Sequence, residues 1–175
     1  MTTRPVLVIG DLICDHYVWG DVSRVSPEAP VQVLEWEREA NRAGGAANVA
    51  LNLSSLGYDV KLAGLVGRDE DGRWLRRELS RHGIDTTAIV ISETRPTTRK
   101  LRIIARNQQL LRVDREDRDP IGKQDERLLF TAHSSGTSSD MRHYLFGLRQ
   151  RCTDRVHSRS SATYSPSKRS RGSAC

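Results

Sequence analysis

Three groups of residues in this chain have the types and spacing to do chemistry. Gly44-Gly45 stands just before Ala46-Ala47-Asn48; Asp11 and Asp15 follow a short apolar run; Arg99, Lys100 and Arg106 crowd one basic stretch. Two glycines at a helix start leave backbone N–H groups bare, where a polar or anionic ligand approaches closely. Asn48, one turn further on, adds an amide that both donates and accepts. On these residues alone, a glycine pair before a helix is more often a turn than a binding loop. Carboxylates at the carboxyl end of a parallel strand hold sugar hydroxyls through charge-assisted hydrogen bonds. For Asp11 the plainer role, capping a turn, stands slightly ahead. A guanidinium fork suits a phosphate, although a basic run is most often a solvated face. Arg68-Asp69-Glu70-Asp71-Gly72 invites a metal, but acids at a helix N-terminus are the commoner explanation.

These residues need elements to position them. Val6-Leu7-Val8-Ile9 is a continuous apolar run between Pro5 and Gly10-Asp11, and reads as a buried parallel strand ending in a functional loop. Val49, Leu53 and Leu56, with small residues at Ala46, Ala47 and Ala50, suit a helix with one buried face. Gly57 marks its stop, and Val60 to Val66 becomes a strand. Asp71 or a neighbour caps a helix through Trp74, Leu75, Leu79 and His82, with Gly83 as its stop. Ala88 to Ile91 is a short strand.

Residues 17–22 and 31–37 show period-two patterning around the two-proline loop Ser26-Pro27-Glu28-Ala29-Pro30, and make a small sheet outside the main layer. Thr98 to Ala105 and Leu110 to Val113 form a hairpin through Arg106-Asn107-Gln108-Gln109. Alternation puts Lys100, Arg102 and Ile104 on one face, opposite Arg99, Leu101 and Ile103. Trp19 and Trp36 would be exposed unless that sheet is a lid or meets a partner.

Composition bounds the rest. The 175 residues suffice for one ordinary domain, and 37% hydrophobic with 29% charged residues fits a globular protein. No apolar run approaches a bilayer span and the start leads straight into a strand, so a cytoplasmic location is expected. Cys14, Cys152 and Cys175 lack metal spacing, and an odd count argues against a disulfide framework. Cys14 reads as a buried filler. Residues 1–131 balance twenty basic against twenty acidic side chains, so the whole +6 belongs to the eight basic and two acidic residues of 132–175. A dedicated nucleic-acid domain is therefore unlooked for; a basic interaction tail ranks below simple disorder.

Residues 43–67, with the glycine pair, Asn48, Gly57 and Gly67, resemble the N-terminal signature of the ribokinase-like (PfkB) carbohydrate kinases. Ser26-Pro27-Glu28-Ala29-Pro30-Val31 and Thr98-Arg99-Lys100 are similar to the heptose 7-phosphate kinase branch, over about residues 6–130. The resemblance implies the N-terminal part of a three-layer α/β ribokinase-like sheet, with a β lid at about 17–37 and 97–114 through which such chains pair as dimers. It implies an ATP- and Mg²⁺-dependent kinase acting on the anomeric hydroxyl of D-glycero-D-manno-heptose 7-phosphate, a sugar that feeds lipopolysaccharide synthesis. Asp11, Asp15, Gly44, Gly45 and Asn48 would then hold the sugar, Asp15 matching the family's sugar-binding aspartate, and Arg99, Lys100 and Arg106 its phosphate. His16 reads as structural. No metal ligands are assigned, and membrane partners are not expected.

From Ala132 the text changes to Ser/Arg-rich sequence with eleven serines, broken by the apolar patch Tyr144-Leu145-Phe146. So few apolar groups do not offset chain ordering, and most of 134–175 is expected to be disordered. The family's Gly-Ala-Gly-Asp loop, which supplies the anion hole and the aspartate base, does not occur in these residues. No catalytic residue is assigned, the expectation being a frame interrupted near Phe130 and a chain without turnover of its own. An apolar sheet edge would be left unpaired, giving low stability and aggregation. A non-catalytic sugar-phosphate binder is the alternative.

Overall fold

Pro5 hands the chain directly to β1 (Val6–Gly10), whose five residues are all buried, as a strand covered on both faces requires. The computed structural model describes residues 5–134 and 142–146. The chain then leaves for a second sheet through β2 (Leu12–Val25) and β3 (Gln32–Gly45) and returns through α1 (Ala46–Ser55). β4 (Val60–Gly67), α2 (Glu70–Arg81) and β5 (Ile89–Ser92) extend the first sheet. β6 (Thr98–Ala105) and β7 (Gln108–Arg115) complete the second, followed by α3 (Lys123–Ser134) and β8 (Arg142–Phe146).

The core sheet has the order β5-β4-β1-β8 and is parallel throughout. Val6, Val8, Val60 and Leu62 meet Ala46, Ala47 and Ala50 of α1 and Leu75 and Leu79 of α2 on one face. Leu7, Ile9, Ala63 and Val90 meet Leu129 of α3 on the other. Helices on both faces of a parallel sheet make the expected three-layer α/β arrangement. α1 differs from expectation in one respect: its buried contacts come from the alanines, while Leu56 lies past its end and is exposed. Small residues let that helix sit close to the sheet. Gly57 and Gly83 end α1 and α2 with φ of 85° and 73°, the left-handed turn for which glycine was read.

The lid sheet has the order β3-β2-β6-β7. β2 pairs with β3 antiparallel and with β6 in parallel, and β6 with β7 antiparallel. Arg106 and Asn107 both have positive φ, so the β6–β7 connection is a tight two-residue turn rather than a four-residue loop. β3 runs eight residues beyond Glu37, to Gly45, because Arg38–Gly45 finds the continuous partner Leu12–Trp19.

β8 comes from the stretch read as irregular and lies parallel to β1, with Val6 beside Arg142 and Gly10 beside Phe146. The β1 edge expected to be bare is therefore paired. Most of the Ser/Arg-rich tail lies outside the described residues.

Candidate functional site at the core–lid junction

The chain passes from β1 to β2 across the single residue Asp11, which places Asp11 at the carboxyl end of β1, where both sheets meet. Ala46, the first residue of α1, donates its N–H to the Asp11 carbonyl at 2.9 Å. Gly45 has φ of 60°, and a Cβ there would come within 2.4 Å of that same carbonyl oxygen. Both reasons restrict the position to glycine. Gly44 lies opposite Ile13, and a Cβ on it would come within 2.3 Å of Asp15 Oδ2. The two glycines thus do more than bare the backbone: Gly45 admits Asp11, and Gly44 admits the Asp15 carboxylate. Asn48 is exposed one turn into α1. A pocket at this junction is lined by Gly10, Asp11 and Leu12, by Gly64 of β4, by Thr98 of β6 and by Leu129 of α3.

Strand register then builds a charged row across the lid. Arg42 on β3 is opposite Asp15 on β2; Asp15 is beside Lys100 on β6; Lys100 is opposite Asp114 on β7. Positive and negative charges alternate along this row, which favours the sheet. Asp15 is ion-paired to Arg102, and Asp114 to Arg112 at 2.9 Å, so neither carboxylate's ion pair goes to Lys100. Partial burial works against the Arg102 charge, but the bond and charge of Asp15, with Tyr17 and Asp114, outweigh it and raise its pKa.

One step along β2, Tyr17 and Trp19 stack with centroids 5.4 Å apart. Arg38 covers Trp19 at 3.8 Å, and Arg42 and Arg102 approach Tyr17 at 5.4 and 5.2 Å. Cation–π contact holds Arg38 and Arg42 over the rings without neutralising them, while Arg102 is also paired with Asp15. The face that carries Asp15 is therefore rich in cations.

Of the residues singled out from the sequence, Asp11, Asp15, Gly44, Gly45 and Lys100 are brought together. Arg99 is on the opposite face of β6, beside Cys14 in register and 3.8 Å from Asp71. Arg106 sits at the hairpin tip, 72% exposed, where it donates to Asp21 at 2.8 Å and to the Val22 carbonyl. That hydrogen bond holds the Asp21 carboxyl below its usual range. Arg38, Arg42, Arg102 and Asp114 were not singled out as site residues. The signal for the first two was the alternation of Arg38, Ala40, Arg42 and Gly44, which becomes a face only once β3 is known to continue to Gly45.

Below the junction, Cys14 is fully buried, and its thiol is pushed up to about 12, first by burial and then by Asp71. His16 bonds Asn41 at 2.5 Å and faces Glu39 at 3.2 Å, a structural placement on the Cys14 side.

A parallel core with helices on both faces, a four-stranded lid rising from β1, and a glycine turn at their junction define the ribokinase-like class. The same fold is seen in a carbohydrate kinase from Agrobacterium tumefaciens, with TM-score 0.53 and 23% identity, over 65% of this chain and 36% of that one. It is seen again in Arabidopsis thaliana ribokinase complexed with ribose and ATP, with TM-score 0.53 and 17% identity, over 73% and 42%. The profile of the pfkB family carbohydrate kinases matches residues 4–137, and the chain belongs to that family. It is also similar to the bifunctional protein HldE of Helicobacter hepaticus, 53% identical over 66% of this chain and 24% of that protein. The HldE of Geobacter sulfurreducens is 54% identical over 69% and 25%. The chain spans about a quarter of the length of these relatives.

Proposed function

We propose that this chain carries the acceptor-sugar site of an ATP-dependent kinase that phosphorylates the anomeric hydroxyl of D-glycero-D-manno-heptose 7-phosphate. The kinship to HldE supports the substrate. The observation that carries the reading is the Asp15 carboxylate seated on Gly44 beside the Asp11 turn, in line with Arg42 and Lys100. In this reading Asp15 accepts hydrogen bonds from sugar hydroxyls, and Asp11 and Asn48 bound the same ring. Lys100, with Arg42, meets the 7-phosphate. Arg99 and Arg106 are already engaged by Asp71 and Asp21, and we leave them out of the phosphate site.

ATP, when bound, would supply the γ-phosphoryl group for transfer to the anomeric oxygen, with ADP as the leaving group and the hydroxyl proton passing to a base not assigned among these residues. What these residues contribute is orientation of that hydroxyl. Among the described residues, no group of three or more His, Cys, Asp or Glu is placed to hold a metal ion. Among them, no helix is long and apolar enough to cross a membrane. We extend the reading to pairing of two lids, supported by Trp36, 63% exposed on β3.

Calorimetric titration tests the proposal. The chain is expected to bind heptose 7-phosphate more tightly than the unphosphorylated heptose. Asp15→Asn is expected to weaken both ligands by about tenfold or more, the size of a lost charged hydrogen bond. Lys100→Met is expected to erase the preference for the phosphorylated sugar. Equal affinity for the two sugars, or none for either, would overturn it.

A further inference from the structure

The first turn of α2 is in the core, yet its acids reach into the lid. Asp69 caps α2 by accepting from the Gly72 N–H at 2.9 Å, and also accepts from the Thr97 N–H at 2.9 Å and hydroxyl at 2.6 Å. Thr97, fully buried, leads directly into β6, and its hydroxyl oxygen accepts from the Gly67 N–H at 2.9 Å. Asp71 is only 8% exposed and touches two lid strands. It meets Arg99 of β6 at 3.8 Å and Arg115 of β7 at 2.8 Å, and, after burial, its charge helps to raise the thiol pKa of Cys14 on β2. Arg115 also bonds Asp69 at 3.2 Å.

Arg99 and Arg115 are cross-strand partners, so two like charges stand side by side at the base of the β6–β7 hairpin. That arrangement repels unless a counter-charge holds it. The two aspartates supply the counter-charge, and they do so from the start of α2 in the core. β2 and β3 are tied to the core by chain continuity at Asp11 and at Gly45-Ala46, and β6 by its pairing with β2 and by Thr97; the aspartates add a side-chain attachment at the base of the β6–β7 hairpin.

We infer that Asp71, with Asp69, is a positioning residue that sets the lid over the cleft, fixing Lys100 and Arg102 of β6 relative to Asp15 of β2. Asp71 acts through Arg99 and Arg115, and does not itself face the Asp15 side of the lid. Its consequence for sugar binding rests on the proposed function; its mechanical content does not.

The test is hydrogen–deuterium exchange on the whole chain, without ligand, comparing wild type with Asp71→Asn. Arg115→Gln serves as a second variant, since that side chain is half exposed and its loss does not threaten folding. Both are expected to speed exchange in β6 and β7 by about tenfold or more, with β1 and β4 unchanged. Equal acceleration in all four strands, or none in β6 and β7, would overturn the inference. Titration of the same variants with heptose 7-phosphate reads the consequence: weaker binding is expected although Asp15 and Lys100 are intact. Undiminished affinity alongside loosened lid strands would also overturn it. Absence of binding by the wild-type chain counts against the proposed function, and the exchange result still decides the latch.

Discussion

β1 and β7 lie in the two sheets of one chain and obey opposite rules. All five residues of β1 are buried, and none carries a charge. Seven of the eight residues of β7 are exposed, and three of its last four are charged. Neighbouring strands in the core are held by apolar contact on both faces, so almost any loss of volume there is felt. The lid is held instead by which charge stands opposite which, as in the row Arg42–Asp15–Lys100–Asp114.

Substitutions can break that contrast or sharpen it. The largest effect is expected in the core. Leu62→Ala, at a fully buried site on β4, should cost ~2–5 kcal/mol by denaturant unfolding. A cost below that of a surface substitution would mean β4 is not covered on both faces. Gly44→Ala comes next, since its Cβ would collide with the Asp15 carboxylate. It should cost ~1–3 kcal/mol and depress sugar-phosphate binding, read by unfolding and calorimetry together. A destabilised variant that binds normally would separate Gly44 from the site.

The smallest effect is electrostatic and belongs to the seam between the sheets. Partial burial raises the Asp69 pKa, but the Thr97 and Gly72 hydrogen bonds and the Arg115 charge outweigh it, leaving it below the ordinary 3.8. A depressed folded pKa gives stability that is complete above the unfolded value and fades as pH falls through the folded one. Thermal unfolding of wild type and Asp69→Asn should therefore differ at neutral pH, with the gap narrowing as pH drops below 3.8. A gap that persists in acid would assign the Asp69 contribution to its shape rather than its charge.

Much of the core was legible. Val6–Ile9, the glycine stops at Gly57 and Gly83, and α2 with its acidic start follow from local rules that act within a few residues. β3 was legible only to Glu37. Glu39-Ala40-Asn41-Arg42 has little strand propensity, and it is extended because Trp19 back to Leu12 offers it a partner. β8 escaped for the same reason: Arg142–Phe146 is a strand beside β1 and has no local pattern that demands one.

The amino-acid sequence by itself determined the family, the α/β class and the glycine turn, because each depends on residues near one another along the chain or on a shared signature. Only the tertiary structure decided which cations face Asp15. Lys100 and Arg99 are adjacent in the chain, yet strand alternation sends one to the Asp15 side of the lid and the other to Asp71. Arg42 and Arg102, sixty positions apart, converge on Tyr17 because β2 lies between their strands. Charge acts through space, and the neighbours of a charge are set by strand register.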